Sequence, residues 1–229
     1  SLYGECSASG RGFNIGIRNV QTGEVRLRNS QVASALFSCG GPQAPDYGLY
    51  IDSSRVTVAQ TVFSDNGNSS ADYAVYVTGY ENILTFDDNI VRDNRRGLSL
   101  DEVDVESFRN NVFMDNADGG VIVGSNTQAE LLHTTLARNG GDAVKVNSGG
   151  AVSLVNTIIS ESTTGVRVIS GGAATLAQTL WDSNTTNTVG AVSQTGAISG
   201  LAVFDSDGYH LTHFSAALSR GVDAGVPDD

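Results

Sequence analysis

AVKVNSGGAVSLVNTIISESTT (residues 143–164) runs directly into GVRVISGGAATLAQTLWDSNTT (residues 165–186), and these two 22-residue stretches are identical at ten positions. β-Branched residues and glycines fill both copies, and their apolar residues alternate instead of recurring every three or four positions, which excludes a helix. A unit this short cannot bury its own hydrophobic face and must stack on its neighbours. Each copy therefore reads as one coil of a parallel β-helix.

The pattern continues outward. Residues 119–142, 97–118, 73–96 and 47–72 give coils of 24, 22, 24 and 26 residues, and a degenerate coil begins at Gly12-Phe13-Asn14-Ile15, with an insertion around Gly40-Gly41-Pro42. About seven coils of 22–26 residues follow, with three strands in each. The first strands alternate as Leu49/Ile51, Val75/Val77, Leu98/Leu100, Val121/Val123, Val144/Val146 and Val166/Val168, so these side chains should point inward. A second inward set includes Val56/Val58, Val103/Val105, Leu154 and Leu176; a third is Val62, Ile90, Val112, Leu136, Ile158 and Leu180. Two polar columns accompany the third strand: Thr61, Asn89, Asn111, Thr135, Thr157, Thr179 before it, and Asn66, Asn94, Asn116, Gly140, Ser162, Asn184 at the turn after it. The expected division of one continuous domain is a cap and degenerate coil over 1–46, regular coils over 47–200, and a segment over 201–229 that closes the open end.

Composition fits a turn-rich all-β chain: 27 glycines, 3 prolines and 40% hydrophobic residues in 229. The net charge of −12 disfavours nucleic acid and anionic membranes, whose binding requires basic clusters. No run of about 18 apolar residues is present to insert in a bilayer. No charged-then-apolar leader opens the chain, which reads as a processed or excised domain. The two cysteines, Cys6 and Cys39, both lie near one end, where a disulfide would suit a secreted solenoid whose terminal coil lacks a stacking partner; two buried free thiols are the alternative.

The small-apolar-x-apolar coil openings, with Asn or Thr before a β-branched residue later in each coil, resemble the right-handed parallel β-helix repeat of the pectate-lyase-like superfamily. The tail (Asp207-Gly208-Tyr209-His210-Leu211, Ser215-Ala216-Ala217-Leu218, Gly221, Asp223-Ala224-Gly225) is similar to the "DYHL…SPAIDAG" ending of bacterial surface β-helix proteins, with Ser-Ala where Ser-Pro is usual. The resemblance implies a right-handed solenoid, secreted or displayed on a bacterial surface. It leaves function open, because the superfamily holds lyases, hydrolases, epimerases and adhesins.

Chemistry on such a solenoid belongs to outward columns. One runs Asn14, Tyr50, Tyr76, Ser99, Ile122, Lys145, Arg167; two residues on lie Asp52, Thr78, Asp101, Gly124, Asn147, Ile169. Tyrosine rings stack on sugar faces, while Lys145 (the sole lysine) and Arg167 suit carboxylates or hydroxyls. Tyr50, Tyr76, Asp52, Asp101, Lys145, Arg167 and Asn147 are thus the ligand-binding candidates. If the chain resembles pectate lyase in activity, Lys145 or Arg167 would abstract the proton α to a uronate carboxyl, with Asp101 and Asp52 holding Ca²⁺. A solvated strand face would also carry such residues. A second candidate is the acidic corner Asp65, Asp93, Asp115, continued by Asn139, Glu161 and Ser183, which either binds Ca²⁺ or forms Asx turns. No other cofactor is expected.

The expectation is a monomeric, secreted or cell-surface module that binds a polysaccharide or surface glycan without catalysis. A pectate-lyase-like enzyme or glycoside hydrolase acting on an acidic polysaccharide is the first alternative, and a structural spacer the second.

Overall fold

A computed structural model of the chain describes residues 5–6, 12–20, 23–34 and 45–224. The described residues form strands and turns without helices. One nine-stranded sheet stacks the first strand of every coil: Gly12–Arg18, Asp46–Asp52, Tyr73–Thr78, Leu98–Leu100, Gly119–Val123, Asp142–Val146, Thr164–Val168 and Thr186–Val189, with Glu5–Cys6 antiparallel on Gly12–Arg18. The other neighbours in this sheet are parallel, as when Leu98 pairs with Val75 and Val121. Second strands (Arg55–Ala59, Asn82–Asp87, Val103–Arg109) and third strands (Val62–Ser64, Ile90–Arg92, Val112–Met114) stack likewise. The two stacks join into one sheet because Ala151–Ser160 and Ala173–Asp182 each run unbroken through both.

The interior is a column of alternating side chains. Leu49, Ile51, Val75, Val77, Leu98, Leu100, Val121, Val123, Val144 and Val166 are fully buried, and Phe63, Phe86, Phe108 and Phe113 stack ring on ring with centroids 5.4–6.3 Å apart. Each coil opens on a small residue (Gly48, Ala74, Gly97, Gly120, Ala143, Gly165) for a steric reason. A Cβ on Gly97 would stand 2.2 Å from the Gly120 carbonyl oxygen, and one on Gly120 2.6 Å from that of Ala143.

The third inward set differs from expectation by one residue. Phe63, Val91, Phe113, Leu136, Ile159 and Trp181 face the core, whereas Val62, Ile90, Val112 and Ile158 are only half-buried. The residue at the corner between second and third strands is left-handed (Gln60 φ 50°, Asp88 58°, Asn110 53°, His133 49°, Asn156 52°, Gln178 52°), which resets the alternation so that the following polar residue turns in. Thr61, Asn89, Asn111, Thr134, Thr157 and Thr179 fill that inward place; pairing of Val112 with Thr135 sets Thr134, not Thr135, in the column.

The corner column likewise contains Asn139 where Gly140 was expected. Here Asn66, Asn94, Asn116 and Asn139 are buried and chained. Each Nδ2 of Asn66, Asn94 and Asn116 donates to the next coil's Oδ1 at 2.9, 3.0 and 3.0 Å, and that oxygen also accepts from the backbone N–H of the same donor residue. Such a ladder satisfies polar groups that the solenoid buries at every turn.

The described part of the tail, residues 201–224, packs on the flank of the solenoid. It folds back along the third strands: Asp182 accepts from Ala202 N, the Gly208 carbonyl accepts from Arg138, and Asn156 exchanges hydrogen bonds with Val222 at 2.8 and 2.9 Å. The cause is the outward apolar column there, since Leu211, Ala217 and Val222 gather over Ile158, Leu180 and Ile198. The Cys6–Cys39 pairing falls outside the described residues.

Candidate functional site: a groove along the first sheet

Five consecutive first strands, from Tyr73–Thr78 to Thr164–Val168, shape an open groove of about 530 Å³ parallel to the solenoid axis. At a strand spacing of ~4.8 Å it is about 19 Å long. Small residues make its floor: Ser99, Gly119, Gly120 and Gly124, with Ile122. Tyr73 and Tyr76 stand at one end, Lys145 and Arg167 at the other. Strand register enforces this order, because Tyr76 pairs with Ser99, Ser99 with Ile122, Ile122 with Lys145, and Lys145 with Arg167.

Of the residues anticipated from sequence, Tyr76, Asp101, Lys145, Asn147 and Arg167 line this groove. Tyr50 and Asp52 stand outside it. Tyr50 is 4% exposed, stacked on Phe13 and Tyr76 and capped by the Arg18 guanidinium 4.8 Å from its centroid. Asp52 accepts from the Ser53 hydroxyl. Asn14 is replaced in its column by Gly16, which pairs with Tyr50.

Sequence reading missed Tyr73, Arg96, Asp118 and Asp142. The register steps from Tyr47↔Tyr73 to Leu49↔Val75, and from Gly119↔Asp142 to Val121↔Val144, passing over the small opening residue. The irregularity carries the residue before it to the outer face, so Tyr47 lies with its ring 4.8 Å from Tyr76. The repeated small residue was the available signal.

The groove's charges are largely satisfied by one another. Arg167 Nε donates to both Asp142 oxygens at 2.8 and 3.0 Å, and its Nη2 to Thr164 Oγ1 at 2.8 Å. Asp118 accepts from Arg95 at 2.7 Å and lies 4.0 Å from Arg96, which itself donates to the Tyr73 hydroxyl at 2.9 Å and sits over that ring. Asp101 accepts from Ser125. Lys145 is half-buried and forms no ion pair among the described residues. It is the groove's open cation.

The acidic corner is a stack of left-handed turn residues: Asp65, Asp93, Asp115, Arg138, Glu161 and Ser183, with φ between 50° and 57°. Arg138, not Asn139, continues it and takes Asp115 in a two-bond pair at 2.8 and 2.9 Å, which raises the Arg138 pKa. Asp93 pairs with Arg92. Among the described residues no three His, Cys, Asp or Glu side chains come together as a metal site.

No curated protein matches the chain. Among solved structures, an alginate lyase from Paenibacillus sp. str. FPU-7 is similar at 12% identity over 73% of this chain and 96% of that one, with a TM-score of 0.28. The family described as "Right handed beta helix region" matches residues 9–196. With its parallel stacks, asparagine ladder and inward alternation, the chain belongs to the right-handed β-helix family.

Proposed function

We propose that this protein is a secreted or cell-surface, non-catalytic module that binds a saccharide chain in the groove of its first sheet. The observation that carries the reading is the placement of Lys145, without an ion-pair partner among the described residues, in one groove with the Tyr73 and Tyr76 rings. Aromatic faces stack on pyranose rings, and an ammonium donates to hydroxyls or carboxylates without a fixed geometry. The coil spacing of ~4.8 Å is close to the length of one sugar residue, so a groove five strands deep suits about four residues laid along the axis. The acids favour binding over acid–base chemistry, since Asp118 and Asp142 are engaged with arginines and Asp101 with Ser125.

Calorimetric titration with neutral and uronate tetrasaccharides, with and without calcium, tests this. Binding should fall at least tenfold in Tyr76→Ala and in Lys145→Ala. Absence of binding across the panel would sink the reading. Growth of unsaturated-product absorbance, lost in Lys145→Ala, would give the groove to lyase chemistry instead.

A further inference from the structure

We infer that the C-terminal end of the solenoid is an interface for a second copy of the same chain, joined end to end about a two-fold axis. The two ends differ. In the first sheet the N-terminal end is met by the antiparallel strand Glu5–Cys6, whereas Thr186–Val189 at the other end pairs on one side alone among the described residues; Val192–Thr195 and Ile198–Ser199 are also single-sided there, as Val25–Arg28 and Gln31–Ala33 are at the N-terminal end. The described part of the tail lies along the flank, and at that end the core-facing Thr188, Val192 and Gln194 are half-exposed and Ser199 is exposed, while their equivalents one coil earlier, Val166, Ala174, Leu176 and Trp181, are buried. Gln194 also holds a buried Nε2 without an acceptor among the described residues.

An exposed strand edge is ordinarily protected by lysines, inward charges, prolines or bulges. None is present. Residues 183–204 contain no Asp, Glu, Lys, Arg, His or Pro, in a chain that is 17% charged and would place about four charges in that length. The remainder carries the whole net charge of −12, so two copies, which repel each other overall, meet here with no charge on either edge. With the axis through the first face, Thr186–Val189 pairs antiparallel with its own copy, while Val192–Thr195 of each copy meets Ile198–Ser199 of the other, extending the existing ladders across the junction. A two-fold contact of this kind closes on itself and stops at a dimer.

Sedimentation velocity on the 229-residue chain between about 1 and 100 μM tests the proposal. The expected result is a dimer, against the monomer anticipated from sequence. Thr188→Lys places like charges near the axis and Gln194→Lys puts a desolvated charge inside the contact; each should return a monomer with unchanged far-ultraviolet circular dichroism. Amide exchange over residues 186–199 should slow in concentrated wild type and not in these variants. A monomer at every concentration, a dimer indifferent to both substitutions, or assemblies that keep growing with concentration would each overturn the two-fold end contact. If the lysine variants unfold, exchange in the wild type alone decides: no concentration dependence over 186–199 rejects it.

Discussion

Arg167 reaches back one coil to grip both oxygens of Asp142, at 2.8 and 3.0 Å, while Lys145, its register neighbour, keeps its ammonium free of any ion pair among the described residues. Of these two neighbouring cations one is thus held by the protein and, on the function proposed above, the other is left to a ligand. Asp142→Asn should loosen Arg167 and add a second available cation. Affinity for a uronate tetrasaccharide is expected to rise about fivefold, on the order of 1 kcal/mol, with little change for a neutral one. Titration at low and high salt checks it, the gain shrinking as salt screens the charge.

Removing a rung of the corner ladder should be costly. Asn116 Oδ1 accepts from both the N–H and Nδ2 of Asn94, and its own Nδ2 donates to Val91 O and Asn139 Oδ1, all buried. Asn116→Ala leaves several of these groups unpaired and is expected to destabilise the fold by about 2–4 kcal/mol in denaturant titration.

Gly97 tests the steric rule for coil openings. Its added methyl would meet the Gly120 carbonyl at 2.2 Å, a backbone atom that cannot swing away. Gly97→Ala should destabilise by about 1–3 kcal/mol even though the φ there is ordinary. Thermal melting against wild type measures the loss.

The tail is expected to loosen in acid. His210 donates its ring nitrogen and backbone N–H to Asp207, as Tyr209 does its N–H, and together they lower the Asp207 pKa from 3.8 to about 2. A lowered carboxylate pKa stabilises the folded state above the unfolded value and loses that contribution as pH falls through the folded one. The window therefore runs from about pH 4 down to about 2. Pepsin cleavage within residues 203–224 should accelerate across it, and Asp207→Ala should flatten the dependence.

Much of the fold was legible because Leu49/Ile51, Val75/Val77 and Val166/Val168 announce a period of two, and the copied 22-residue unit announces stacking. The third strand was misplaced by one position because left-handed Gln60, Asp88 and Asn110 reset the phase, and a backbone dihedral leaves little trace in composition. The 24-residue coil slipped by one for a related reason: sequence alone does not say which corner absorbs its extra residues. In the groove, Tyr76, Lys145, Arg167, Asp101 and Asn147 followed from alternation. Tyr73, Arg96 and Asp142 did not, since each immediately precedes the small residue at which alternation fails, and Asp118 lies one position earlier still. Tyr50 looked open in sequence, but Phe13, Tyr47 and Arg18, from other turns of chain, cover it.

The tail's position acquires meaning beside the asparagine ladder. That ladder stops after Asn139, because Ser162 in the next coil turns its hydroxyl to its own Ser160 carbonyl. The tail fastens at Arg138, Asn156 and Asp182, on the coils either side of this weak joint. It works as a splint over a fracture: with it bound the rod yields as a whole, and with it cut away the last three turns should peel off first while the asparagine-bolted half stays rigid.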